Sequence, residues 1–145
     1  MFKEILVPLD GSETAEKVIP YVIDISRTYG SSIMLLRVIP PLRRSLNASL
    51  EIIDQVKTQI ESIVGSYMDE VTERLITEGI DIESEIIWGS PAATIIDLAE
   101  TSGCDLIILG SHGESASFRW YLGSVSAKVI RAKKMIPVLI VPTII

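Results

Sequence analysis

Along this chain, short apolar runs bounded by turn residues alternate with longer stretches of helical period, and that alternation constrains the fold more than any single residue. Ile5-Leu6-Val7-Pro8-Leu9 is the first run, and Asp10-Gly11-Ser12 ends it with a turn and helix-start signal. From Ser12 the period lengthens: Ala15, Val18, Ile19, Val22 and Ile25 or Ser26, then Tyr29, mark one helical face closing at Gly30. Pro20 lies inside that stretch and is expected to kink the helix, because its ring removes a backbone donor and crowds the preceding turn. Ile33 to Val38 reads as a second strand, stopped by Pro40-Pro41, and Ile53, Val56, Ile60, Val64, Tyr67 (or Met68), Val71 and Leu75 keep helical spacing up to Gly79. Ile80 to Trp88 alternates, with Ile80, Ile82, Ile86 and Trp88 on one face. Ser90-Pro91 opens a helix reaching Thr101, with a cap residue followed by proline at the first helical position. Leu106 to Leu109 is a fourth strand, Gly123 to Lys134 a helix with cations in its last turn, and Val138 to Val141 a fifth strand between prolines.

Strand and helix alternating in this way require crossover connections, so the fold predicted is α/β, a doubly wound, mostly parallel sheet with helices on both faces. The continuous apolar runs suit central strands buried on both faces, and the alternating third strand suits an edge. With 145 residues, 48% hydrophobic, and no linker or repeat, residues 1–145 form a single domain with material for a real core. A net charge of −6 argues against a nucleic-acid partner, whose phosphates call for cations. Cys104 and His112 are the single residues of their kinds, which excludes an intramolecular disulfide, a multi-cysteine zinc site and a His-pair metal site. Met1-Phe2-Lys3-Glu4 has no signal-peptide pattern, and the apolar run Met135 to Ile145 holds two prolines and is too short to span a bilayer. A cytoplasmic domain with no membrane partner and few groups for hydrolytic chemistry is expected.

In doubly wound sheets, ligands bind beyond the carboxyl ends of the strands, where the strand order reverses. Asp10 follows the first strand, Ile39-Pro40 the second, Gly89-Ser90 the third, and the fourth leads into the long connection from Gly110 to Ser124. A connection of that length tends to be functional. Glycine where the backbone must approach a ligand, followed by a helix start carrying Ser124 and Ser126, is the physics of a phosphate cradle: unpaired amides and the positive helix end face the anion. Each of these residues also has a plainer role, as a turn glycine or a helix cap. No Walker A lysine motif and no G-x-G-x-x-G is present.

Gly110-x2-Gly113-x9-Gly123-Ser124 resembles the G-2x-G-9x-G-(S/T) signature of the ATP-binding branch of the universal stress protein family. The resemblance runs the whole chain: Val7-Pro8-Leu9-Asp10-Gly11-Ser12, Leu35-Leu36-Arg37-Val38, Asp105 to Gly113 and Ile136 to Pro142 are similar to the family's successive strand segments, in order. It implies a Rossmann-like, five-stranded parallel sheet in order 3-2-1-4-5, with Asp10 and Gly110 emerging side by side between strands 1 and 4. It further implies that ATP is the cofactor, bound with Mg2+ or Mn2+. Pro8, Asp10 and Val38 would line the adenine and ribose end, Val38 through its backbone. Gly110 would lie against the ribose, and Ser111, His112, Gly113, Glu114 and Ser115 would carry the binding loop, with Gly113 and the amides after it on the phosphates. Gly123, Ser124, Val125 and Ser126 would hold the phosphates at the helix start. No residue is expected to ligate a metal directly. Asp10, acidic beside a polyphosphate, calls for a divalent cation or a ribose hydroxyl near it, or else serves as a cap or Asx-turn of the first helix.

The other candidates read as structural. No acid is placed by the sequence to orient His112 as a base, so a solvent-facing or backbone-bonded imidazole is expected. Cys104 precedes a buried strand and reads as a small apolar residue. Arg119, Arg43-Arg44 and Trp120-Tyr121-Leu122 are taken as solvated or packing groups, with a phosphate contact, a lid or base stacking as the alternatives. The fifth strand is apolar throughout yet falls at an edge, which calls for a cover, and family members commonly dimerise there, so a homodimer through 138–141 is expected. Nothing resembles a hydrolytic apparatus. The expected function is a nucleotide-dependent regulator in which ATP occupancy orders the loop 114–122 and changes the surface shown to a protein partner. The alternatives are a slow ATPase or autophosphorylating switch with Ser115, Ser117, Ser124 or Ser126 as acceptor, a nucleotide-free interaction module, and a small flavin carrier of the same fold class.

Overall fold

Residues 1–42, 49–112 and 122–143 are described in a computed structural model of the chain. The elements are β1 (Glu4–Pro8), a 3-10 turn (Ala15–Val18), α1 (Ile19–Tyr29), β2 (Ser32–Ile39), α2 (Leu50–Thr77), β3 (Asp81–Trp88), α3 (Pro91–Thr101), β4 (Leu106–Gly110), α4 (Ser124–Arg131) and β5 (Val138–Val141). The strands form one parallel sheet, as the alternation predicts, in the order β3-β2-β1-β4-β5 that the resemblance implies.

Successive residues of the central strands enter two different cores, because side chains alternate across a strand. Ile5, Val7, Leu35, Leu106 and Ile108 pack with Val18, Ile19 and Val22 and with Val64, Met68, Val71 and Leu75, which places α1 and α2 on one face. Leu6, Leu36, Ile107 and Leu109 pack with Ala92, Ile95, Ala99 and Val129, which places α3 and α4 on the other. Burial on both faces is why these strands read as unbroken apolar runs. Ile80, just ahead of the edge strand β3, and Ile82, Ile86 and Trp88 within it face the α2 side, and Trp88 Nε1 donates to Glu61 at 2.8 Å. Among the described residues no helix is long and apolar enough to cross a membrane.

Helix ends follow local chemistry, with two departures from expectation. Gly30 closes α1 with φ 65, and the Ser49 side chain caps α2 by accepting from the Ile52 amide at 3.2 Å. Pro20 does not kink a continuous helix. The chain makes a 3-10 turn first, α1 begins at Ile19, and Pro20 falls in its first turn, where the missing N–H would have had no helical partner. The last helix stops at Arg131 rather than Lys134, and Lys134 folds back to donate its ammonium to the carbonyls of Val129, Ile130 and Ala132. Cys104 is buried, as its sequence position suggested, and burial pushes its thiol up against an opposing hydrogen bond from Ser102.

Leu36 lies at 0% exposure between β1 and β3, whereas Ile63 on α2 is 71% exposed. Leu36→Ala is expected to cost about 2–5 kcal/mol in urea denaturation, and Ile63→Ala less than about 0.5 kcal/mol.

Candidate functional site

The site begins with an early strand end. The Leu9 amide donates to the Leu36 carbonyl at 2.8 Å, so the odd residues of β1 face β2 and the even ones face β4. The register of β1 with β4 reaches Leu6 opposite Ile107. The next ladder bond would run from the amide of residue 8 to the Ile108 carbonyl, and Pro8 has no N–H to donate. The pairing of β1 with β4 therefore stops, while β2 continues to Ile39 and β4 to Gly110. The crevice left at the carboxyl ends is the position where a doubly wound sheet accepts a ligand.

A cleft of about 380 Å3 occupies this crevice. Among the residues singled out in sequence, Pro8, Asp10, Val38, Gly110, His112, Gly123, Ser124, Val125 and Ser126 line it, and Ser111 lies just behind it. Gly113, Glu114, Ser115, Ser117, Arg119, Trp120 and Tyr121 lie outside the described residues, as do Arg43 and Arg44.

Two glycines bring backbone to the cleft wall. The Gly123 amide donates to the Ser111 carbonyl at 2.7 Å, joining the end of β4 to the start of α4. A Cβ on Gly123 would stand 3.1 Å from that carbonyl and 3.3 Å from the Cα of His112. Gly123 is itself the N-cap of α4, and among the described residues no side chain bonds the first-turn amides. The amides of Ser124 and Val125 therefore have neither an intrahelical acceptor nor a capping oxygen, and the positive end of the helix dipole faces the same cleft. Ser126 behaves differently from a phosphate donor. Its buried hydroxyl donates to the Gly110 carbonyl at 2.7 Å, with the Ser111 carbonyl at 3.2 Å, so it braces the loop from beneath.

At the other end, Val38 follows Leu36 by two residues and so turns its N–H and C=O to the same side, past the end of β1 where no strand stands opposite. A donor and an acceptor side by side at one residue match a planar heterocycle edge that accepts and donates. Asp10 accepts from the Ser12 amide at 2.9 Å and from its hydroxyl at 2.6 Å, which is the Asx-turn reading of this residue, and it also lines the cleft.

His112 departs from the solvent-facing or backbone-bonded imidazole expected. It is buried, its Nδ1 lies 3.0 Å from the Ser111 hydroxyl, and its Nε2 has no hydrogen-bond partner among the described residues. Arg37 was missed in sequence. It lines the same cleft, and a Cβ on Gly11, whose φ is 85, would run into its guanidinium. The available signal was a lone cation inside the apolar run from Ile33 to Val38. On the α2 side, burial and the neighbouring Glu16 carboxylate, which accepts from the phenol at 3.1 Å, push the Tyr67 phenol well above its ordinary range. No group of three or more acidic, histidine or cysteine ligands stands together among the described residues, so a divalent cation here would rely on a ligand's own phosphates for coordination.

The model of the universal stress protein family matches residues 1–142. The universal stress protein MJ0577 of Methanocaldococcus jannaschii is 32% identical over 155 residues, 97% of this chain and 95% of the relative. The solved structure of MJ0577 aligns with a TM-score of 0.86 at 33% identity, covering 98% of this chain and 96% of that one. A universal stress protein solved in complex with cAMP aligns with a TM-score of 0.73 at 23% identity, over 98% of each chain. A family protein from Arabidopsis thaliana solved with AMP bound aligns with a TM-score of 0.68 at 18% identity, over 97% of this chain and 91% of that one. The last two likenesses bear on the fold.

A Cβ on Gly110 would stand 2.6 Å from the Thr143 methyl and 3.3 Å from the His112 carbonyl. Gly110→Ala is expected to cost about 1–3 kcal/mol by overpacking, and Thr143→Ser on that background to restore part of the loss, both read from urea midpoints. Because the Tyr67 phenol is held protonated in the fold, stability is fully present below about pH 10, where the unfolded phenol ionises. It falls as pH rises above that value, and Tyr67→Phe should flatten the fall in an alkaline denaturation series.

Proposed function

The chain belongs to the universal stress protein family, and on that premise we propose that it is a regulatory protein whose ligand is ATP. The observation that carries the proposal is the uncapped first turn of α4 opening into the cleft bounded by Gly110 and Gly123. An anion with several oxygens satisfies those amides, and glycine lets it approach without a Cβ between. Val38 supports adenine as the base: its N–H would donate to the ring nitrogen, and its carbonyl would accept from the exocyclic amine. Family proteins solved with cAMP and with AMP point to the same class of ligand.

In this reading Pro8 and Gly110 flank the ribose, Asp10 stands at the ribose hydroxyls or beside a phosphate-bound Mg2+ or Mn2+, and Ser124 and Val125 take the phosphates with Gly113 and the amides that follow it. Phosphate binding by amides and a helix end needs no surplus of cations, which accords with the chain's net charge of −6. The protein acts through occupancy: binding changes the surface presented by the segment between Gly113 and Gly123. The apolar strand β5 stands at the sheet edge between Pro137 and Pro142, and a second copy pairing there covers it.

Two measurements test this. Denaturing the purified protein and chromatographing the supernatant should release adenine nucleotide. Mg-ATP at ~100 times its dissociation constant should stabilise the protein by about 2.7 kcal/mol, a rise of several degrees in Tm. Gly123→Asp, which crowds the Ser111 carbonyl and sets a carboxylate at the helix start, should abolish the rise while keeping the native circular dichroism. No released nucleotide together with no shift at millimolar Mg-ATP overturns the proposal.

A further inference from the structure

Thr143 lies beyond the end of β5 and outside the cleft lining, yet its hydroxyl, amide and methyl all meet the segment from Gly110 to His112. Its side chain is 1% exposed. Its hydroxyl donates to the His112 carbonyl at 2.9 Å and accepts from the His112 amide at 3.0 Å. One side chain thereby satisfies both main-chain polar groups of a loop residue, as a neighbouring strand would. The Thr143 amide donates to the Ser111 hydroxyl at 3.1 Å, which also stands 3.0 Å from His112 Nδ1. The Thr143 methyl lies where a Cβ on Gly110 would fall, and its carbonyl accepts from Lys17 Nζ at 3.0 Å, anchoring it to the 3-10 turn.

We propose that Thr143 is a positioning residue of the nucleotide site, clamping Gly110 to His112 in the conformation that meets the ligand; this rests on the ATP reading above. The ladder between β4 and β5 ends with Gly110 opposite Val141 and the Ser111 amide on the Val141 carbonyl at 2.8 Å. Beyond that point the chain has no sheet pairing to hold it, and the Thr143 hydroxyl takes over. The clamp also orients a cleft-lining group whose need is unmet among the described residues: His112 Nε2 is buried without a partner there, as is Arg37 Nε, while His112 Nδ1 is held through Ser111 and the backbone through Thr143. A ring restrained at both points presents Nε2 in a fixed direction, and a loop pinned in advance loses less entropy when a ligand binds. Removing the hydroxyl leaves the amide and carbonyl of His112 without partners in a buried place, so the loop relaxes toward water and away from the cleft.

The test compares Mg-ATP affinity by titration calorimetry at 20 °C in wild type, Thr143→Val and Thr143→Ser, with the Tm of each measured free of nucleotide. Thr143→Val keeps the shape and removes the hydroxyl, and the expected result is at least tenfold weaker binding. Thr143→Ser keeps the hydroxyl and should bind within about threefold of wild type. A role confined to stability lowers the Tm of Thr143→Val and leaves the affinity of its folded form unchanged, and that outcome overturns the proposal. If Thr143→Val does not fold, Lys17→Met serves instead. It releases only the anchor on the Thr143 carbonyl and should weaken binding severalfold, whereas wild-type affinity counts against the clamp. Wild-type protein that fails to bind Mg-ATP overturns the ATP reading itself, a result distinct from loss or retention of affinity among the variants.

Discussion

Strand β1 stops at Pro8 while its neighbours β2 and β4 run on, and the rest of the site depends on that stop. A proline at an even position cannot donate across to β4, so the ladder that holds β1 and β4 together ends at Leu6 and Ile107. Crossover connections carry the chain to opposite sides from these two strands, which leaves a cleft above them among the described residues. The polar groups of Val38 on one wall and the first turn of α4 on the other both face that opening.

The loop walls are held by hydrogen bonds that leave the binding groups unspent. Ser126 spends its hydroxyl on the carbonyls of Gly110 and Ser111, Gly123 spends its amide on Ser111, and Asp10 spends an oxygen on the Asx-turn at Ser12. The first-turn amides of α4 stay open because Gly123 has no side chain with which to cap them. A serine or aspartate at that position would place a side-chain oxygen on those donors, for a gain in helix stability of only about a few tenths of a kcal/mol over glycine. Local helix stability is thus lower where the cleft requires it.

Much of the architecture was legible from local pattern. The alternation of Ile80, Ile82, Ile86 and Trp88 identified a strand with one buried side, and the unbroken run from Leu106 to Leu109 identified one buried on both. The departures share a cause. Pro20 reads as a kink when helical spacing is followed across it, but a 3-10 turn keeps Ala15 and Val18 facing the core while α1 starts afresh at Ile19. Lys134 continues the helical spacing, yet its ammonium does better on the free carbonyls at the end of α4. At Pro20 two local geometries bury the same residues, and at Lys134 the open carbonyls of the helix end outweigh another turn.

The sequence by itself determined the order of elements, the burial of each strand, and the glycine and serine spacing between Gly110 and Ser124, because all of these follow from period and turn chemistry within a few residues. It took the packed fold to bring the Ser126 hydroxyl to the Gly110 carbonyl, Arg37 against Gly11, and the Thr143 hydroxyl to the main chain of His112. The last pair stands 31 residues apart in the chain. Their meeting depends on the register of β4 against β5, which brings Gly110 opposite Val141. Strand register is a property of two distant segments packed into one sheet, and no pattern inside either segment carries it.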